Sequence, residues 1–496
     1  MKIFNASQIK GWDEATIINE PVAPIELMER AAIVCCNWLL KQKYSTSHIR
    51  IFCGRGNNGG DGLAIARILL SDKWEVSTYI LAGETGSENF ETNLKRLKHK
   101  SAKVYELQSP QDFPLMDPGD VIIDALFGTG LNRTLEGLPA HLTDFLNNQG
   151  SLIIAIDIPS GLFTDSASSG SIIRSTYTLT FQATKLCFMV AENAPYFGKV
   201  KVLPIGLDKE FAIKEDSDYE LLESSTTRKI FKPKQAFSHK GNFGFAGIIA
   251  GSYGMMGAAV LATKACLRSG VGKVSCITCK KGYQILQVTA PEAMCTTSGS
   301  RWIKKLPDLA AFTALGVGPG IGLHDSHKEL LSELFETFEK PLVLDADALN
   351  VLSEHPKLIS RIPVNTILTP HPKEFDKLFG ESANDFDRLH KAIDKAHAHS
   401  IYIILKGHHT LIATPNRKGY FNSTGNAGMA KGGSGDVLTG ILTGLLAQGY
   451  DYLEACKLAV YIHGLSGDLA ARKFSQESMI AGDLINQFGY AFSDFQ

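Results

Sequence analysis

The run Asn426-Ala-Gly-Met-Ala-Lys-Gly-Gly-Ser-Gly-Asp436 packs three glycines, a serine and a carboxylate into its last five residues. Gly432, Gly433 and Gly435 let the backbone turn tightly and aim successive N–H groups into one concavity. A helix starting beside Ser434 adds the positive end of its dipole. Together they make a site for a phosphate, or for charge developing on one. Asp436 falls in the first helical turn, where its carboxylate can take a proton from an attacking hydroxyl. The plainer alternative is a glycine-rich turn whose aspartate stabilises the helix dipole.

Other loops of the second half carry chemistry at the ends of strand-like runs. Lys406-Gly-His-His-Thr410 follows IYIILKG and suits contacts to a nucleotide's phosphates or sugar; an ordinary hairpin explains it equally well. Asp345-Ala-Asp347-Ala-Leu-Asn350 offers magnesium or substrate positioning, or helix capping by Asp347 with a satisfied Asp345. Thr369-Pro-His-Pro-Lys-Glu374 holds His371 between two prolines, which fixes its backbone. Gly316-Val-Gly-Pro-Gly-Ile-Gly322 lets backbone approach a ligand closely.

The first half has its own set. Gly54-Arg-Gly-Asn-Asn-Gly-Gly-Asp61-Gly62 follows a strand and opens a helix, a context for phosphate or pyrophosphate. Its spacing is not that of a dinucleotide fingerprint, which disfavours an ordinary Rossmann dehydrogenase. Asn58 and Asp61 are suited to a cation or a ribose. Phe127-Gly-Thr-Gly-Leu-Asn-Arg133 supplies a second glycine loop with a phosphate-seeking arginine. Asp124 ends one strand, and Asp157-Ile-Pro-Ser-Gly161 ends the next. Polar loops at several strand ends of one sheet point to a common pocket.

The elements that must position these residues alternate between strand and helix. HIRIFC, VSTYILAG, DVIIDALFG and SLIIAIDIPSG read as strands separated by helical stretches, which implies a mostly parallel sheet covered on both faces. A polar stretch near 209–235 reads as the connection between two domains, placed at 1–215 and 225–496. Beyond it FTALGVGPG, PLVLDADAL, NTILTPHP and IYIILKG are strands, and the stretch from Gly433 to Arg472 reads as two long helices. The fold class is α/β throughout.

A net charge of -1 offers no broad basic surface, so nucleic acid is not an expected partner. No apolar run approaches the roughly 18 residues of a membrane span, and the first residues read as a helix start, not a signal peptide. Nine scattered cysteines, an odd number, suit a reducing cytosol. Cys276 and Cys279 form a C-x-x-C inside a β-like run and read as buried thiols, not half a zinc site.

Taken together, NNGGDG, DALFGTGLNR, DIPSGL, GPGIG, DADALN, TPHPKE and GNAGMAKGGSGDVLTG resemble, in order and over nearly the whole chain, the bifunctional NAD(P)H-hydrate repair enzymes. The resemblance implies a Rossmann-like NAD(P)HX epimerase domain followed by a ribokinase-like, ADP-dependent (S)-NAD(P)HX dehydratase. It implies an epimerase pocket of Asn57, Asn58, Gly59, Gly60 and Asp61, the run Gly128, Thr129, Gly130, Leu131, Asn132, Arg133 and Thr134, and Asp157. It places K+ on Asn58, Asp124 and Ser160. In the dehydratase it puts the hydrated cofactor against Ala258, Gly320, His371 and Asp436. ADP, with Mg2+, falls against Lys406, Gly407, His408, His409, Thr410 and Gly435. Asp436 is the expected dehydratase base and Asp157 the first candidate for epimerase acid–base work, with Lys185 second. A homo-oligomer is expected. Two departures stand out: Phe163 follows DIPSGL where many relatives have Asp, and LCFMVAEN after Lys185 lacks an early glycine.

The rival readings are an ATP-dependent small-molecule kinase built on the same glycine–Asp loop, and a non-catalytic binding role for the first domain.

Overall fold

The computed structural model describes every residue except 43, 45, 101 and 496. The chain divides into two compact units, Lys2–Ser217 and Asp218–Gln496, with Met1 belonging to the latter.

The first unit is built on seven parallel strands: β1 (Ile49–Cys53), β2 (Val76–Leu81), β3 (Lys103–Leu107), β4 (Val121–Ala125), β5 (Leu152–Ile156), β6 (Tyr177–Phe181) and β7 (Lys199–Leu203), in the order β3-β2-β1-β4-β5-β6-β7. Because strand side chains alternate, Ile49, Ile51 and Cys53 enter one apolar cluster with Ala32, Leu39 and Leu63. Phe52 enters another with Leu142 and Leu146. The first cluster takes its helical side from α2 (Pro24–Lys41) and α3 (Asn57–Ser71), the second from α4 (Gly137–Asn147). A further helix, α1 (Ala6–Asn19), starts at an Asn5–Gln8 capping box. The strand order reverses between β1 and β4, and a parallel sheet opens its ligand crevice at that point.

The second unit has strands β8 (Tyr219–Leu221), β9 (Phe245–Ile249), β10 (Lys273–Thr278), β11 (Met294–Thr297), β12 (Ala314–Val317), β13 (Leu342–Leu344), β14 (Ile367–Leu368), β15 (Tyr402–Leu405), β16 (Leu411–Ala413) and β17 (Gly419–Phe421). They lie in the order β8-β17-β16-β15-β14-β13-β12-β9-β10-β11. Strands β9 to β15 run parallel, β15 to β17 form an antiparallel meander, and β8 pairs parallel with β17. The polar stretch read as a connection therefore contains a strand of the second unit, and Leu222 N donates to Phe421 O at 2.8 Å. The order reverses between β9 and β12.

The helices that matter here are α5 (Met256–Arg268), α6 (Asp347–Glu354), α7 (Pro372–Phe379), α8 (Ser434–Ala447), α9 (Tyr452–Phe474) and α10 (Ala481–Ser493). Helix α8 is buried along nearly its whole length. It approaches α5 closely because Gly440 and Gly444 face it: a Cβ at Gly440 would lie 2.2 Å from Ala262 O, and one at Gly444 1.9 Å from Ser269 Oγ. Two interlocked glycines one turn apart thus fix where the start of α8 sits. Cys276 and Cys279 are buried free thiols, and burial pushes Cys276 up to about 12. Among the described residues no helix is long and apolar enough to cross a membrane.

Candidate active sites

In the first unit a cavity of about 700 Å³ opens at the strand reversal, lined by Asn57, Asn58, Asp61, Gly128 to Arg133, Asp157 and Lys185. Asp157 follows β5 with φ of +66°, a conformation costly for a non-glycine residue and typical of functional sites. Its Oδ1 is 3.0 Å from Lys185 Nζ, and its Oδ2 accepts from Thr129 N at 3.4 Å. Lys185 is almost wholly buried, and its ammonium also donates to Thr180 Oγ1 at 2.7 Å and Phe181 O at 2.8 Å. All three ammonium donors are used, so the charge is held in place.

Two further carboxylates crowd this pair. Asp13, from α1, is pushed up to about 6, first by burial and then by Asp157. Burial, Asp157 and Asp13 push Asp61 well above the usual carboxylate range. Two raised carboxyls thus stand beside the Asp157–Lys185 pair in one pocket, groups able to give and take protons there. Asp13 was missed in the sequence: a lone Asp-Glu in an N-terminal helix gives no local signal, and only the tertiary fold brings α1 to the cavity.

Behind the cavity, Asp124 on β4 is fully buried. Its Oδ1 accepts from Ser160 Oγ at 2.6 Å and Leu126 N at 3.2 Å, and its Oδ2 from Ser160 N at 2.8 Å. Burial lifts Asp124 to about 6, the Ser160 bonds opposing it. Asn58 is buried with both amide atoms lacking a partner. A buried amide in that state is costly unless something outside the protein satisfies it. A Cβ on Gly128 would come within 3.3 Å of Asn58 Cγ and 3.4 Å of Asp157 Oδ2, so the glycine loop lies over both. Gly59 and Gly60 pack inward, against the Gly54 carbonyl and Met28. Thr134 turns to Ser169, its Oγ1 3.0 Å from the serine hydroxyl.

In the second unit Asp436 lies in the first turn of α8, behind Gly433 at φ of +96°. Burial, then Asp345 and Asp347, lift its carboxyl to about 7, while Lys406 works against them. Lys406 Nζ is 3.0 Å from Asp345 Oδ1 and 3.8 Å from Glu374 Oε2. Asp345 is buried, yet Lys406 and the Thr439 and Thr369 hydroxyls outweigh burial and hold it below the usual carboxylate range. Asp347 starts α6 and accepts from Gly322 N at 2.8 Å. Between them Ala346 has φ of +47°. Both carboxylates of DADALN therefore rest on protein donors, but Asp347 does not cap its helix: the N-cap is Ala346, and the Asp347 carboxylate is turned to the Gly322 loop instead.

His371 caps α7: its Nδ1 accepts from Glu374 N at 3.1 Å while Glu374 Oε2 accepts from His371 N at 2.8 Å. Its Nε2 lies 3.5 Å from Glu374 Oε1, and the half-exposed side chain lines a cavity of about 660 Å³ together with Lys406, Gly407, His408, Thr410, Ser434 and Gly435. The Lys406–Thr410 segment is the β15–β16 hairpin. His409 is turned to Asn422 O at 3.1 Å. A Cβ on Gly320 would lie 3.1 Å from Ala258 Cβ, so these two are neighbours.

Two positioning residues escaped the sequence. His463, partly buried on α9, bonds Ser434 O through Nε2 at 2.9 Å, and desolvation lowers it to about 4. Asp468 accepts from Gly425 N at 3.0 Å and Asn426 Nδ2 at 2.9 Å, fixing the loop before α8. Both sit in a stretch that the sequence shows only as a long helix.

Comparison with known proteins decides the family. The model described as NAD(P)H-hydrate dehydratase matches residues 246–488, and that of the YjeF-related protein N-terminus matches 24–187. The bifunctional NAD(P)H-hydrate repair enzyme of Moorella thermoacetica is 33% identical, over 100% of this chain and 97% of that one. The chain belongs to the bifunctional NAD(P)H-hydrate repair enzyme family. The Escherichia coli member is 33% identical over 93% of this chain and 88% of its own length. A Bacillus subtilis ADP/ATP-dependent NAD(P)H-hydrate dehydratase co-crystallised with ATP and Mg2+ superimposes with a TM-score of 0.50 at 31% identity, covering 56% of this chain and 99% of that one. The resemblance read from the motifs and the α/β class expected for both halves are borne out, and the protein is a two-domain repair enzyme.

Proposed function

We propose that the chain returns hydrated NADH and NADPH to the reduced cofactors, its first unit interconverting the R and S epimers and its second dehydrating the S form at the expense of ADP. The observation that carries the dehydratase half is Asp436, with its carboxyl lifted to about 7 at the start of a buried helix behind Gly-Gly-Ser-Gly. At neutral pH such a group is poised to take the proton of the substrate's 6-hydroxyl as that oxygen attacks the β-phosphorus of ADP. AMP departs as the P–O bond breaks, and the backbone amides of the turn stabilise the transferring phosphoryl group. The ring nitrogen's lone pair then expels phosphate from C6, and loss of a proton from the neighbouring C5 restores the dihydropyridine. Lys406 to Thr410 and Gly435 are assigned to ADP. Ala258, Gly320 and His371 are assigned to the hydrated cofactor. Mg2+ bound with the nucleotide would neutralise phosphate charge; Asp345 and Asp347, held by Lys406 and Gly322, are assigned to positioning.

In the first unit Asp157 is assigned acid–base work, with Lys185 holding its charge and Asp13 as a further candidate. Asn57, Asn58, Asp61 and the run Gly128 to Arg133 contact the substrate, with Gly59, Gly60 and Thr134 shaping that surface. Asn58, Asp124 and Ser160 are assigned to K+. The donor set fits: a carboxylate, a hydroxyl and an unpartnered amide oxygen suit a hard cation of low charge. Such an ion would satisfy the Asn58 oxygen and offset the buried Asp124 charge. The free thiols support a cytosolic setting, and we assign a homo-oligomeric state on the resemblance alone.

The test is purified protein with mixed-epimer NADPHX and ADP or ATP, following the dihydronicotinamide absorbance. Complete recovery with ADP supports both halves; recovery of only the S fraction supports the dehydratase alone. A phosphorylated product accumulating from ATP without dihydronicotinamide would mark a small-molecule kinase instead.

A further inference from the structure

The reversal of strand order between β9 and β12 places a second, smaller cavity of about 270 Å³ beside the Gly320 loop. Its floor is Ile321 and Gly322, tied to the proposed substrate loop by Ser252 Oγ, which donates to Gly320 O at 2.9 Å. Its walls are aromatic. Trp302 and His324 stack with centroids 4.2 Å apart, and Tyr253 is 58% exposed. The Arg301 guanidinium lies 4.2 Å from the Tyr253 ring centroid. The Trp302 indole N–H is buried without a partner.

The wall is rigid. Tyr253 N donates to Arg301 O at 2.7 Å, joining the loops after β9 and β11. His327 lies with Nδ1 2.9 Å from Gly322 O and Nε2 3.2 Å from Ile303 O, joining the loop after β12 to the loop after β11. Cations gather outside it. Lys280 N and Lys281 N donate to Gly299 O and Ser300 O, at 3.0 and 3.2 Å, which brings those exposed lysines to the segment carrying Arg301, Lys304 and Lys305. None of these five has an ion-pair partner among the described residues. A cluster of five uncompensated cations in a chain of net charge -1 marks a local field for an anion.

We infer that this cavity is the dehydratase subsite for the adenosine end of the dinucleotide: the base stacks on Tyr253, Trp302 and His324, and Arg301 meets the 2′-phosphate that NADPHX carries and NADHX lacks. An aromatic wall with an exposed tyrosine suits a purine, which stacks on such faces. A guanidinium parked on a tyrosine face keeps its N–H edge free for phosphate oxygens. The assignment rests on the repair reading, and places Arg301 as a specificity-determining residue.

The test is steady-state dehydration of S-NADHX and S-NADPHX at saturating ADP by the full chain, with R301Q and Y253A. For R301Q the KM for NADPHX rises about tenfold, the loss of one charge-assisted contact, while that for NADHX rises less than about twofold. Y253A raises both, since both carry the base. Adenosine 2′,5′-bisphosphate competes with the hydrated substrate in wild type, and about tenfold more weakly in R301Q. Equal effects of R301Q on the two substrates, or no competition by the bisphosphate, would overturn the subsite while leaving the repair function intact. Wild-type protein that dehydrates neither substrate would overturn the reading beneath it.

Discussion

Lys406 Nζ lies 3.0 Å from Asp345 Oδ1, and the carboxylate's other oxygen accepts from Thr439 Oγ1 at 2.7 Å, one turn beyond Asp436 on the same helix. This pair sets the charge around Asp436. Burial raises the Asp436 carboxyl most; Asp345, kept ionised, raises it further, while Lys406 lowers it. The balance leaves the base near neutrality.

The pH profile of dehydration follows from that balance. Only the ionised carboxylate accepts a proton, so kcat/KM should fall about tenfold per unit below a pKa of about 7 and level off above it. Asp436→Asn should lose about 10²–10⁴-fold in rate at unchanged thermal stability. Near-full activity in that variant would remove Asp436 from the role of base. Lys406→Met deletes a lowering influence, so the acidic limb should move to higher pH, measured at saturating nucleotide.

The first unit is tested separately by omitting ADP and following the R and S forms by chromatography. Asp157→Ala should stop interconversion while S-epimer dehydration, assayed with ADP, is kept. Asp13→Asn should slow interconversion, and its pH profile should lose an ionisation near 6. Wild-type rates in Asp157→Ala would return this unit to a binding role.

Potassium should show itself in stability. The partnerless Asn58 amide and the buried Asp124 gain a counterpart when the ion binds. Tm in potassium chloride should therefore exceed Tm in tetramethylammonium chloride of equal ionic strength. Asp124→Ala should abolish the difference and weaken epimerisation without touching dehydration. Identical Tm in both salts for wild type argues against the ion.

Backbone demands give a further check. Gly318 has φ of +127°, and a Cβ there would lie 1.8 Å from Asp345 O. Gly318→Ala should cost about 2–3 kcal/mol in denaturant titration and impair dehydration by shifting the Asp345 loop. An unchanged midpoint would contradict the packing.

The unit boundary can be probed with fragments. A chain beginning at Asp218 keeps β8 and its pairing with β17; one beginning at Ser225 loses both. The longer fragment should unfold at the higher temperature by circular dichroism. Equal midpoints would make β8 dispensable.

Local sequence determined the glycine loops, the strand-end carboxylates, the α8 start and the α/β alternation, because each depends on residue type and near-neighbour spacing. It also determined the family, since seven motifs in order leave few alternatives. It did not reveal the short strand Tyr219–Leu221, whose polar surroundings read as a connection until it paired with β17. Tertiary structure alone decided which groups meet. Lys406 reaches Asp345 across 61 residues, and Asp13 reaches the Asp157–Lys185 pair from a helix near the N-terminus. His463 supports α8 from 29 residues away, across a separation at which no local pattern links the two. Proton affinities follow the same division: the residue types are written in the chain, but burial and long-range neighbours, which only folding brings together, set whether a carboxyl titrates near 4 or near 7.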